Sequence, residues 1–348
     1  MTDLITLSPN GFYCAAGDFY IDPWHPVRRA VISHAHADHY TYGCERYLVN
    51  REGAPVFRAR LGDDAPLRTL PYGEQIDVDG VKVSLHPAGH ILGSSQIRVE
   101  HKGEVWVVSG DYKTTDKDST CQPFEPVPCD TFITEATFAL SIFHWRPQAE
   151  IFADLNAWWQ QNREADKTSI VFVYALGKAQ RVLAGLDPEI GPIYTHGAVE
   201  RITQAYRKAG VDLPTTTYVN AYMEEVKKPN WRGSLILTPL STRGTTWLRK
   251  FNPYSTASVS GWMQIRGVRR RRAVDRGFIL SDHADWQGLQ QAIRATEAEQ
   301  IGVTHGYVPA FVRHLSEQGY HARAYDTRFS AQAEEEVSSD DLRMTSDE

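Results

Sequence analysis

The chain has little that would staple it covalently or hold it in a membrane. Only four cysteines occur in 348 residues, Cys14, Cys44, Cys121 and Cys129, with no C-x-x-C pair among them. A disulfide framework is therefore not expected, and reduced thiols suit a cytoplasmic protein. No stretch approaches the roughly 18 apolar residues of a membrane helix, and "MTDLITLSPNGFYCAAGDFY" lacks a basic region followed by an apolar run. Neither export nor membrane contact is expected. An excess of positive charge is missing too. The net charge is -6, but "AQAEEEVSSDDLRMTSDE" at 331–348 holds seven acids and one arginine, so residues 1–330 sum to about zero. That balance excludes the broad basic surface of a nonspecific DNA coater. The acidic tail has too few large apolar residues to offset the entropy of ordering, and disorder is expected there.

What is present is enough chain for about two domains, each with its own core. The first 140 residues alternate short apolar runs with turns: "DFYID", "RAVIS", "VKVSLHPA", "SQIRVEH", "EVWVVSGD" and "TFITEAT". Several alternate with period two and read as strands. From about 147 the texture changes. "PQAEIFADLNAWWQQNREA" has helical spacing, "SIVFVYAL" reads as a buried strand, "GKAQRVLAGL" opens a helix and "GPIYTHG" a further strand. Such alternation predicts a parallel sheet covered by helices. "GFILSDHADW" and "IGVTHG" read as strands, each followed by a helix.

The densest chemical signal is "SHAHADH" at 33–39, three histidines and an aspartate behind the apolar run "RAVI". Neutral imidazole and carboxylate are the ligands that zinc and similar cations take. His34 and His36 can serve one ion, and Asp38 with His39 a second. More ligands are expected at other strand ends: His90 in "HPAGHILGS", Asp111 in "VWVVSGDYK" and His305 in "IGVTHG". A carboxylate such as Asp111 can bridge two cations. Two divalent ions roughly 3.5–4 Å apart suit hydrolysis of a phosphodiester.

"SHAHADH", "PAGHILGS" and "SGDYK" resemble successive signatures of the metallo-β-lactamase hydrolases, with Asp22 of "FYIDP" matching the aspartate that supports the metal loop. "ITEATF", "YALGKAQRV", "LSDHADW" and "VTHG" resemble the additional motifs of the β-CASP nucleases, a branch that includes RNase J and the cleavage-and-polyadenylation endonuclease. The resemblance implies an α/β fold, an αββα sandwich with an inserted α/β cap. The sandwich would comprise 1–144 and 273–330, the cap 145–272, and 331–348 the acidic tail. It also implies two divalent ions, zinc or manganese. His34, His36 and His90 would hold one, Asp38, His39 and His305 the other, and Asp111 would bridge. Catalysis would fall to Asp38, Asp111, His283 and Glu135, with His283 protonating the leaving oxygen and Glu135 orienting it. Asp282 either supports His283 or caps the helix that opens at "ADWQGL".

Phosphate contacts are expected from Gly177 and Lys178 of "LGKAQR", where a loop meets a helix, and from Ser241, Thr242, Arg243 and Thr245 of "STRGTTWLRK". Four consecutive arginines at 269–272, Arg270 among them, lie shortly before "FILSDH" and suit a nucleic-acid strand. Trp145, Trp247 and Trp262 are candidates to stack on bases. A histidine at position 305 resembles the RNA enzymes of the branch. "AGDFYIDPW", "SGWMQIRG" and "LSDHADW", by contrast, resemble bacterial DNA-ligase-associated exonucleases, which accompany an ATP-dependent ligase and a helicase. The second likeness covers most of the chain and favours a DNA-repair exonuclease acting on single-stranded DNA. The alternatives are an RNA-processing ribonuclease, a nucleic-acid-binding partner without catalysis, and a small-molecule esterase.

Overall fold

A computed structural model describes residues 3–114 and 118–327. The acidic tail lies outside the described residues. The chain is mixed α/β, with three sheets divided between two compact units. The first unit comprises Met1–His144 and resumes at His283; the second is Trp145–Asp282.

The first unit holds two sheets. One runs in chain order through Thr6–Ser8, Gly11–Cys14, Phe19–Ile21, Ala30–Val31, Tyr47–Asn50 and Leu67–Leu70. The other orders its strands His321–Ala324, Gln300–Gly306, Thr131–Ala136, Glu104–Val108, Ser95–His101, Val81–Pro87 and Gln75–Val78. Period-two alternation makes one face of each strand apolar. Val83 and Leu85 sit opposite Val99 and Ile97, and all four join a core cluster with Phe12, Phe19, Ile21 and Val31 of the first sheet. Both sheets thus contribute to one apolar core. A second cluster combines Val107, Phe132, Ile301 and Val303 with Leu289 and Ile293 of helix Trp286–Ala295 and Phe311 and Leu315 of helix Val308–Glu317. The large sheet is therefore covered on both faces, which explains the unbroken burial of Thr131–Ala136.

The second unit has one six-stranded, all-parallel sheet, ordered Thr217–Tyr218, Ile193–Thr195, Leu235–Thr238, Thr168–Phe172, Tyr254–Val259 and Arg276–Phe278. Its central strands Thr168–Phe172 and Leu235–Thr238 are buried throughout, as the run "SIVFV" requires when helices cover both faces. Helices Gln148–Glu164, Lys178–Ala184 and Gly197–Lys208 occupy the intervening segments.

Three local readings are corrected. The first 140 residues also contain a helix, Ala54–Leu61, whose arginines at 58 and 60 interrupt any clean apolar stripe. Leu67–Leu70 is a strand with two exposed residues, too polar to register as one. Finally, "GFIL" does not begin the return to the first unit. Gly277 and Phe278 pair with Ser258 and Val259, so the second unit continues to Asp282 rather than ending at 272.

Candidate metal centre

The seven expected ligands all belong to the first unit, and each lies at or just beyond a strand end. Strand Ala30–Val31 delivers "SHAHADH", which turns back on itself through a hydrogen bond from His39 N to His36 O at 3.1 Å. Strand Val81–Pro87 delivers His90 into a loop tied by Ser94, whose Oγ accepts from the backbone amides of His90 and Ile91. His305 arrives by a different device. Thr304 pairs with Glu135 while Gly306 pairs with Ala136, so His305 is the extra residue of a β-bulge, held at φ +52°. A bulge of this kind re-aims one side chain without ending the strand.

The donor atoms converge in two groups. His34, His36, His90 and Asp111 form one, and Asp38, His39 and His305 the other, each with its ligand atoms within 4.8 Å of one another. In the first, His34 Nε2 and His90 Nε2 each lie 3.1 Å from His36 Nδ1. Asp111 Oδ2 lies 3.4 Å from His34 Nε2 and 3.3 Å from His39 Nε2, between the two groups. Asp38 Oδ2 is 3.5 Å from His39 Nε2. Donors arranged tetrahedrally about 2.0–2.1 Å from zinc stand roughly 3.3 Å from one another, which matches these separations. Hydrogen bonding does not account for the arrangement. Asp38 Oδ2, His39 Nε2 and Asp111 Oδ1 are buried without a hydrogen-bond partner, a costly state for such groups unless a cation joins them. The donor set therefore fits two divalent cations.

The electrostatics point the same way. Burial and the facing His283, His34 and His36 push the His90 imidazole well below its ordinary value. Burial also lowers His34 and His305, leaving neutral rings whose lone pairs suit a metal. Burial opposes a charge on Asp111, yet His39 and His34 hold its carboxyl well below the usual range. His39 is likewise raised against burial by Asp111 and Asp38. The pocket thus concentrates negative charge where positive charge is wanted.

Behind the ligands sits Asp22, the residue expected to support the metal loop. Asp22, at φ +45° after strand Phe19–Ile21, accepts from Ser33 N at 2.7 Å, Ser33 Oγ at 2.5 Å and His39 Nδ1 at 2.8 Å. Fixing Nδ1 turns Nε2 of His39 inward, and Thr304 Oγ1, 3.1 Å from His305 Nδ1, lies at the same atom of that ring. That Asp22 supports the loop through Ser33 as well as His39 was not read from the sequence. Asp22→Asn keeps a side chain that tolerates the left-handed backbone while placing an amide against His39. Its metal affinity, measured by competition with a chromogenic chelator, is expected to fall about 10- to 100-fold; unchanged affinity would show that Asp22 only shapes the turn.

Gly89 is required sterically. At φ +75°, a Cβ there would lie 2.3 Å from Lys113 O and 2.9 Å from Phe124 N, both backbone atoms. Gly89→Ala is expected to lower stability by about 2 kcal/mol or more, read as a drop in thermal midpoint, with loss of metal as His90 shifts.

Beside the ligands, His283 Nδ1 lies 3.0 and 2.9 Å from the two Glu135 oxygens. Glu135, 1% exposed, also accepts from Tyr112 N at 2.8 Å. Tyr112 follows Asp111, and its hydroxyl lies 2.8 Å from Thr134 Oγ1, so one short segment places both the shared carboxylate and the anchor of Glu135. Asp111, Glu135 and His283 again have ligand atoms within 4.8 Å of one another.

The expected phosphate contacts belong to the second unit, and most are engaged within it. Gly177 N donates to Gln180 Oε1 at 2.8 Å. Lys178 Nζ lies 3.7 Å from Asp282 Oδ2, and the buried Arg181, not singled out from sequence, brings Nε to 3.0 Å from Asp282 Oδ1. Asp282 is thus an ion-pair partner; the cap of helix Trp286–Ala295 is Asp285, which accepts from Gly288 N. Ser241 is half-buried. Thr242 Oγ1 donates to Pro239 O at 2.9 Å, closing a turn, and Thr245 Oγ1 donates to Thr242 O. Arg243 and Arg270 are exposed. Trp262 is buried, and Trp247, half-buried, meets Phe251 edge to face with Lys250 over its ring.

No family model matches the chain. It is 30% identical over 319 residues to a probable DNA ligase of Opitutus terrae, covering 90% of this chain and 30% of that protein. It is 28% identical over 300 residues to endoribonuclease ysh1 of Schizosaccharomyces pombe, covering 69% and 38%. Over 172 residues it is 27% identical to cleavage and polyadenylation specificity factor 73 of Drosophila melanogaster, covering 47% and 24%. The chain is a relative of endoribonucleases. That kinship supports the superfamily and branch named from the motifs, metallo-β-lactamase and β-CASP. The chain spans only about a third or less of the length of most of these relatives. In fold, it matches a protein of unknown function from Enterococcus faecalis V583 at TM-score 0.58 and 10% identity, covering 86% of this chain and 79% of that one.

Proposed function

We propose that the protein is a metal-dependent phosphodiesterase of the β-CASP branch, with a metallo-β-lactamase αββα sandwich and an inserted cap, acting as an exonuclease on single-stranded DNA. The observation that carries this is the convergence of seven donors, six of them buried and Asp38 half-buried, on two positions that share Asp111 Oδ2, with the Glu135–His283 pair alongside. His34, His36, His90 and Asp111 would hold one ion, and Asp38, His39, His305 and Asp111 the other. When bound, the ions, zinc or manganese, neutralise charge on the phosphoryl group and supply a nucleophile at neutral pH.

The protein's own groups do the remaining work. Glu135 accepts from His283 Nδ1, which fixes the ring and its tautomer; His283 Nε2 would then carry the proton that the leaving alkoxide requires. Tyr112 N–H keeps Glu135 from rotating away. Asp22 and Thr304 hold the rings of His39 and His305 so that neither must reorganise during the reaction.

The similarity to a protein named as a probable DNA ligase supports a DNA substrate and work beside a ligase; a role in repair with a helicase belongs to the same proposal. A second reading, RNA cleavage, is favoured by the endoribonuclease relatives and by His305. Matched single-stranded DNA and RNA, labelled separately at the 5′ and 3′ ends and incubated with zinc or manganese, separate the two. Stepwise shortening of DNA from one end is the expected result. Preferential internal cuts in RNA would overturn the DNA assignment.

A further inference from the structure

The second unit carries a cleft of about 430 Å³ lined by Arg146, Asp154, Arg269, Asp275, Arg276 and Phe278, with apolar neighbours. Three arginines face two carboxylates in it. The Asp275 carboxylate accepts from the backbone and hydroxyl of Thr256, at 2.8 and 3.0 Å, rather than from an arginine. Asp154 pairs with Arg146, which also pairs with Glu150. Among the described residues no carboxylate lies within ion-pair distance of Arg269 or Arg276. Both are exposed. Arg269 Nε donates to Met263 O, which fixes that guanidinium at the rim, and Arg276 lies 5.8 Å from the Phe278 ring.

The helix that supplies Arg269 strengthens the case. Arg266–Arg272 has five arginines in seven residues and no buried side chain. Arg266 stands three and four positions from Arg269 and Arg270, where like charges repel, and Arg243 adds a further cation by donating to Arg271 O. A helix with no buried side chain, anchored through Arg269 to Met263 O and Arg272 to Ser258 Oγ, and crowded with like charge gains from an anion that spans several guanidinium groups. Arginine forks match phosphate oxygens in pairs, and the apolar wall around Phe278 suits the sugar and base edge between phosphates.

We propose that this cleft binds the phosphodiester backbone of a single nucleic-acid strand, with Arg269 and Arg276 gripping successive phosphates. The proposal rests on the nuclease reading for the identity of the polyanion.

The test is anisotropy of a fluorescein-labelled 20-mer oligothymidylate with phosphorothioate linkages, which resist cleavage, titrated with the metal-loaded full chain at several salt concentrations. For Arg269→Ala with Arg276→Ala, affinity is expected to fall about tenfold or more near physiological salt, and the dependence of log affinity on log salt to flatten by about 1.4 for two lost contacts to a single strand. Arg269→Lys with Arg276→Lys should restore the salt dependence, and unchanged circular dichroism excludes misfolding. Unaltered affinity and slope in the alanine variant would overturn the proposal, as would failure of the wild-type chain to bind the strand. Hydrolysis of bis(p-nitrophenyl) phosphate by the wild-type protein tests the nuclease reading separately: strand binding that depends on the two arginines without such hydrolysis keeps the cleft and removes the enzyme.

Discussion

Replacing Asp38 and His39 together by alanine is expected to abolish nucleic-acid cleavage, with a fall of at least about 10³-fold, and to leave the protein short of metal. The magnitude follows from the several kcal/mol of charge stabilisation a divalent ion gives a phosphoryl transition state, at about 1.4 kcal/mol per tenfold in rate. His39 is buried and Asp38 half-buried beside Asp111, Asp38 Oδ2 and His39 Nε2 have no hydrogen-bond partner, and Asp22, which would lose His39 Nδ1, keeps Ser33 N and Oγ as donors. The fold should therefore survive, which circular dichroism checks. Elemental analysis is expected to find one ion or fewer per chain. A folded variant with full activity would refute the use of two ions.

His283→Ala is expected to separate binding from chemistry. The ring sits beside His90, with centroids 4.6 Å apart, but its Nδ1 is committed to Glu135. Removing a positioned acid typically costs about 10²–10⁴-fold, so kcat should fall by that much while metal content stays at the wild-type level. Glu135→Gln keeps the shape and removes the charge that orients the ring; its loss should be smaller and should add little when combined with His283→Ala, since the two act as a unit. Loss of metal from His283→Ala would make that histidine a ligand instead.

Much of the first unit was legible because its signals are local. "SHAHADH" lies within seven positions, and His90, Asp111 and His305 each follow an apolar run that reads as a strand. What stayed hidden is contact between distant segments. The motif in "FYIDP" marked its aspartate as a support of the metal loop but not that Ser33 N, Ser33 Oγ and His39 Nδ1 are its partners, and nothing in "SGDYK" says that the Tyr112 amide holds Glu135. The bulge at His305 was equally invisible, since pairing register depends on the neighbouring strand. In the second unit, loop chemistry misled. "LGKAQR" has the composition of an anion cradle, yet Gln180 accepts from the Gly177 amide and Asp282 draws in Lys178 and Arg181. "GFIL" was read with the residues that follow it, whereas its pairing partner, Ser258 and Val259, precedes it. The arginine run was legible as charge; the cleft it borders was not.

The most direct test is to strip the protein of metal with a chelator, return manganese or zinc stepwise, and measure bound ion per chain and cleavage of end-labelled single-stranded DNA on the same samples. Activity that is absent in the stripped protein and rises as binding approaches two ions per chain is the predicted result. Cleavage that persists without metal, or a refolded chain that binds no divalent ion, would contradict the two-ion centre on which the account rests.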